Sequence, residues 1–157
     1  MLRNIGLSLG LLLLLSSACR GQTPRIIYSD DLLKQYPSDP SVFQERYGGD
    51  LIYYKANKEM KEKTANIDKA QVKGDGFVVT FWKSKEYYIR LIKITKSNKI
   101  KIGTVDVIGM KIEDIKEIFG IPGITSEGAL DYNGKNTSLT LGIEGDVITS
   151  CYWGYDM

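Results

Sequence analysis

Apolar positions along the chain recur with two different periods. Ile112, Ile115, Ile118 and Phe119 fall at helical spacing, with Glu113, Asp114, Lys116 and Glu117 on the opposite side. Gly120 and Pro122 stop that helix. A second helix is announced by its start: Asp39 as N-cap, Pro40 at the first helical position, then Val42, Phe43 and Tyr47 on one face before Gly48-Gly49. Ser29 is the cap candidate for a shorter helix that ends before Pro37. Runs rich in β-branched and aromatic residues predict strands at 51–54, 77–82, 87–94, 130–132, 138–143 and 147–153. Lys83-Ser-Lys-Glu86, Asn133-Gly134 and Glu144-Gly-Asp146 read as the turns between them. Leu139, Leu141 and Ile143 share one face; Val147, Thr149, Cys151 and Trp153 share one face of the last strand. Residues 55–75, with six lysines against four acids, read as a long loop or a solvated extension, and 99–104 as a weak strand.

This order predicts an α+β domain: an antiparallel sheet with helices packed on one face. Helix followed by three strands occurs twice, so residues 25–157 read as one domain with candidate repeat halves 25–95 and 96–157. Coincidence is the other explanation, since α+β domains often alternate in this way.

The start of the chain is of another kind. Arg3 precedes an apolar run, residues 5–15, which ends in Ser16-Ser17-Ala18-Cys19. A basic start, a short apolar stretch and small residues make an export signal over 1–18, too short for the roughly 20 apolar residues of a membrane span. Cys19 at that place resembles the lipobox of bacterial lipoproteins, which implies that Cys19 is acylated and becomes the mature N-terminus. Ser16 stands where the usual pattern has Leu. Ser16-x-Ala18 also fits ordinary signal-peptidase cleavage, and a Cys19–Cys151 disulfide belongs to that second reading. Residues 19–24 then form a tether.

At residues 108–122, Ile-Gly-Met-Lys-Ile-Glu-Asp-Ile-Lys-Glu-Ile-Phe-Gly-Ile-Pro, the chain resembles the helical signature of the small outer-membrane assembly lipoproteins of the SmpA/OmlA type. The same pattern occurs in the β-lactamase-inhibitor-protein-like fold. Asp131-Tyr132 and the hairpin of 137–153 occupy the places of the strands that follow, so the likeness covers about residues 103–153. Here the matching unit ends a longer mature domain, which favours the tandem, inhibitor-like arrangement. The resemblance implies a protein-binding scaffold; neither group is enzymatic.

Composition narrows the chemistry. The 157 residues contain no histidine, which removes Ser-His-Asp and Cys-His catalysis and His-ligated metals. Two cysteines are too few for a Cys-rich zinc or iron–sulfur site. Asp30-Asp31 sits at a helix start and Glu113, Asp114 and Glu117 on a solvated helix face, so neither group reads as a general acid–base pair. Cys151 shares a strand with Trp153 and reads as a buried, inert thiol. No catalytic residue, metal or cofactor is expected.

The net charge of +2 hides an uneven distribution. Residues 55–101 hold 13 Lys plus Arg against 5 acids; residues 102–157 hold 3 against 9. Either the basic part meets anionic head groups or an acidic partner, or the two parts pack side by side and neutralise each other. No motif points to nucleic acid. Aromatic residues are numerous, and the candidate protein-contact surface is Tyr87, Tyr88, Trp82, Tyr152 and Trp153. The functional expectation is a non-catalytic envelope lipoprotein, on the outer membrane, held through the lipid on Cys19 and binding an envelope protein. The alternative is a periplasmic carrier of a small ligand or lipid.

Overall fold

Asp39 opens α1 (Pro40–Tyr47) by accepting the backbone N–H groups of Ser41 at 2.9 Å and Val42 at 3.1 Å. Pro40 occupies a position whose N–H has no helical partner in any case. Gly48 closes this helix and Gly120 closes α2 (Ile112–Phe119), with φ of 79° and 84°, a conformation that favours glycine. These positions follow from the computed structural model, which describes residues 26–57, 66–126 and 128–156. The expected export signal of 1–18, Cys19 and the expected tether of 19–24 lie outside the described residues.

Among the described residues eight strands follow the order of the chain: β1 (Asp50–Tyr54), β2 (Lys69–Gly74), β3 (Phe77–Lys83), β4 (Tyr87–Ile94), β5 (Ile124–Ser126), β6 (Ala129–Asn133), β7 (Thr137–Glu144) and β8 (Val147–Tyr155). They form one antiparallel sheet in the order β1-β2-β3-β4-β8-β7-β6-β5. The described residues are α+β, dominated by the sheet, with few and short helices. Each half runs helix then four strands, not three, and the halves join where β4 pairs with β8, from Leu91 opposite Gly154 to Ile94 opposite Cys151.

Several expectations need correction. The Lys-rich segment contains β2, where Ala70 and Val72 point inward between Lys69, Gln71 and Lys73. β5 was hidden by its three-residue length. Residues 99–104 form no strand; Ile102 makes an isolated bridge with Val105. Ser29 precedes a 3-10 helix (Asp30–Gln35), and its side chain makes no capping hydrogen bond. Val42 is half exposed, while Phe43 beside it is fully buried. In β8 the pairing shifts, with Gly142 opposite Ser150 and Ile143 opposite Ile148, so Thr149 is an extra residue. The buried series is therefore Ile148, Cys151 and Trp153, and Val147 and Thr149 fall out of it.

One face of the sheet builds the core. Val79, Phe81, Ile92, Leu139, Leu141 and Trp153 join Phe43 of α1 and Ile115, Ile118 and Phe119 of α2 in a single cluster. The segment after β4 contributes Ile100, Ile102 and Val107. The Tyr36 hydroxyl holds this segment by donating to the Lys101 carbonyl and accepting the Lys101 N–H at 2.7 Å. Burial pushes the Tyr36 phenol up to about 12. The other face keeps Ile52, Leu91 and Tyr152 exposed.

Candidate functional site

Alternation along the strands sends Gln71, Thr80, Trp82, Tyr88 and Tyr152 to the open face, away from the helices. A second bulge modifies this pattern in β4. Thr80 lies opposite Leu91 and Phe81 opposite Ile89, so Arg90 is the extra residue. Ile89 and Ile92 both remain buried, and the two residues between them, Arg90 and Leu91, both line the open face. The bulge thus turns Leu91 outward beside Arg90, where strict alternation from Tyr88 would send it inward.

The open face pairs cations with rings. The Arg90 guanidinium carbon lies 4.9 Å from the centre of the Trp82 ring, and the Lys69 ammonium 5.7 Å from it. Lys93 lies 5.2 Å from the Tyr152 ring. Tyr88 meets Tyr155 edge to face, centroids 6.3 Å apart at 81°. A polar row crosses the strands: the Tyr54 hydroxyl donates to Gln71 at 3.2 Å, and Gln71 Nε2 donates to the Thr80 hydroxyl at 3.2 Å.

Between these groups lies a depression of about 340 Å³, lined by Thr80, Trp82, Arg90, Leu91, Ser138, Thr140, Tyr152, Gly154 and Tyr155. Gly154 is required there. A Cβ at this position would collide with the Arg90 carbonyl oxygen and come within 3.0 Å of the Leu91 Cα. The bulge crowds the β4 backbone against β8, and only a residue without a side chain fits opposite.

Among the described residues the cations of this face form no ion pair. Among the described residues the ion pairs are Lys34–Asp31, Lys55–Asp68, Lys96–Asp75 and Lys116–Glu113. None involves Lys69, Arg90 or Lys93, and none joins residues 55–101 to residues 102–157. Asp131 lies across β7 from Tyr152, and its carboxylate accepts the Thr140 hydroxyl at 2.6 Å.

Of the aromatic residues singled out from sequence, Trp82, Tyr88 and Tyr152 come together on the open face. Tyr87 points to the other side, where its ring packs tilted against Tyr53 at 6.1 Å, with the Lys83 ammonium 5.3 Å from its centre, and burial raises its phenol pKa. Trp153 is fully buried and cannot meet a partner. Sequence reasoning missed Arg90, Lys69, Leu91 and Tyr155. Lys69 was hidden by its lysine-rich surroundings, and the outward place of Leu91 depends on a bulge.

Other reactive groups have structural partners. Asp30 closes the β6–β7 turn, accepting from the Asn136 backbone, the Asn136 side chain at 3.0 Å and the Thr137 hydroxyl at 2.8 Å. The Thr137 hydroxyl, foremost, and Asn136 hold the Asp30 carboxyl below its ordinary value. Tyr28 in turn donates to Thr137 at 2.9 Å. Cys151 is fully buried, and burial pushes its thiol up, away from the nucleophilic thiolate. Among the described residues no three metal-binding side chains converge, and no helix is long and apolar enough to cross a membrane. No family model, curated protein or solved structure matches the chain.

Proposed function

We propose that this protein is a non-catalytic binding module of the bacterial cell envelope, held to the outer membrane by a lipid on Cys19, that docks another protein on the open face of its sheet. The observation that carries this reading is the ring-and-cation surface itself. Trp82, Tyr152 and exposed Leu91 stand among Arg90, Lys69 and Lys93, none of which has an ion-pair partner among the described residues. Aromatic and Arg side chains around a partly apolar centre are the composition of interface hot spots. The repeated order of helix and four strands, joined at β4 and β8, supports a tandem arrangement of the inhibitor-like kind.

A photo-crosslinking residue at position 152, in cells that make the protein, tests the reading. The expected result is a discrete adduct with one envelope protein that disappears in Trp82→Ala and is not formed from position 121. Equal labelling from both positions, or none from 152, refutes it. Mass spectrometry of the mature N-terminus tests the anchor: a diacylglyceryl-modified Cys19 is expected, and an unmodified Cys19 refutes it.

One observation favours the carrier reading as a second possibility for the same fold. A groove of about 590 Å³ runs along the C-terminal end of α2, lined by Ile26, Ile27, Ile118, Phe119 and Tyr132. Co-purification of a lipid that protects this groove, without a protein adduct at 152, would favour the carrier.

A further inference from the structure

We propose that the depression over Gly154 is a recognition pocket for a carboxylate side chain carried, beside an aromatic or aliphatic residue, on an acidic segment of the partner protein. This rests on the docking reading above and names what that face selects.

The shape comes first. At about 340 Å³ the depression lies at the small end of ligand sites, the scale of one or two inserted side chains. Its floor is low because Gly154 has no side chain and Ser138, opposite it in β7, has a short one.

The charge comes next. Arg90 lines the depression, and its guanidinium carbon lies 4.9 Å from the centre of the Trp82 ring. A guanidinium attracted to a ring still carries N–H donors in a planar fork matched to a carboxylate. Lys69 and Lys93 flank the site on the same face. Asp131, across β7 from Tyr152, accepts the Thr140 hydroxyl at 2.6 Å and forms no ion pair with these cations among the described residues. The hydroxyls of Ser138 and Thr80 add polar groups to the lining.

The apolar share decides between anions. Leu91 and Tyr152 are 37% and 41% exposed at this site. Such surface gains nothing from a fully hydrated anion and gains from an apolar side chain next to the carboxylate. An acidic peptide segment has that combination.

The test uses the ¹⁵N-labelled mature lipoprotein, from Cys19 onward, in nanodiscs of neutral phosphatidylcholine. The probes are two blocked dipeptides of equal shape, acetyl-Phe-Glu-amide and acetyl-Phe-Gln-amide. The two tryptophans separate the faces: the Trp82 indole N–H reports the pocket, and that of buried Trp153 reports the integrity of the core. The Glu peptide is expected to shift Trp82, Leu91 and Gly154 saturably, leave Trp153 unmoved, and bind about tenfold or more tightly than the Gln peptide. Arg90→Gln is expected to abolish that preference with Trp153 unchanged. Arg90→Lys, which keeps the charge but loses the fork, is expected to retain only part of it.

Equal binding of the two peptides by the wild type overturns the inference without any variant. So do shifts confined to the groove of Ile118 and Phe119. So does perturbation of Trp82 by vesicles containing phosphatidylglycerol but not by the Glu peptide, which would assign the face to lipid. A crosslink from position 152 together with equal peptide binding overturns this inference alone; loss of the crosslink overturns the docking reading itself.

Discussion

Replacement of Phe43 by Ala tests how α1 is held to the sheet. Phe43 is fully buried and stands among four rings: Tyr47 at 4.6 Å, Phe81 at 5.6 Å, Tyr36 at 6.0 Å and Phe77 at 6.4 Å. Tyr47 sits on the same helix, Phe77 and Phe81 on β3, and Tyr36 is tied to the Lys101 backbone, so the gap left by Phe43 cannot close cheaply. Loss of the buried ring and the cavity together cost about 3–5 kcal/mol. For a domain of this size that corresponds to a fall in Tm of roughly 10–20 °C. Val42, the next residue and 50% exposed, is the internal control; Val42→Ala should cost less than about 0.5 kcal/mol. Urea titration followed by far-UV circular dichroism measures both. A loss below about 1.5 kcal/mol in Phe43→Ala, or an equal loss in Val42→Ala, would refute the view that one ring anchors this helix.

Three further outcomes follow from the structure. Asp30 has a lowered pKa through Thr137 and Asn136, so its contribution is present above the ordinary value of 3.8 and disappears as pH falls through the lowered one; Asp30→Asn should flatten the acid limb of the stability–pH curve, and an unchanged limb contradicts the assignment. The raised pKa of Cys151 gives stability that is complete below the ordinary thiol value of 9.0 and is lost as pH rises above it, so Cys151→Ala should move the alkaline onset upward. The native thiol should also resist a disulfide reagent until the chain unfolds. Gly154→Ala should destabilise by about 1–3 kcal/mol because its Cβ meets the Arg90 and Leu91 backbone; a neutral effect in calorimetry would show that β4 and β8 are not crowded there.

The parts of the fold that were legible in the sequence are those with local causes. Asp39-Pro40 and Gly120 with Pro122 mark helix ends through contacts within a few residues, and α1 and α2 sit where those signals put them. The strands around Phe81, Ile92, Leu139 and Leu141 show in their alternation. β2 was illegible because its inward residues, Ala70 and Val72, are small and its outward ones include two lysines, a composition shared with a solvated loop. The site was half legible. Adjacent residues of a strand point to opposite faces, so Tyr87 and Tyr88, or Tyr152 and Trp153, cannot both meet one partner. Which member of each pair faces outward is set by pairing across the sheet, and in β4 and β8 by a bulge that pairing alone reveals.

The seam between β4 and β8 has a temporal consequence. Every other neighbouring pair in the sheet is also neighbouring in the chain, whereas β4 ends at Ile94 and its mate is complete only at Tyr155. At the usual rate of synthesis, the roughly sixty residues between them take about 3–12 s to emerge. During that interval an eight-residue strand stands bare, longer than the edges of the finished sheet, which are β1 with five residues and β5 with three. A long bare edge is a template for the wrong strand, including β4 of a second nascent copy. The finished molecule covers that edge with β8 along four residue pairs, Leu91–Ile94 against Cys151–Gly154. Its vulnerable moment is the wait for the second half, and self-association of incomplete chains is the failure that this topology invites.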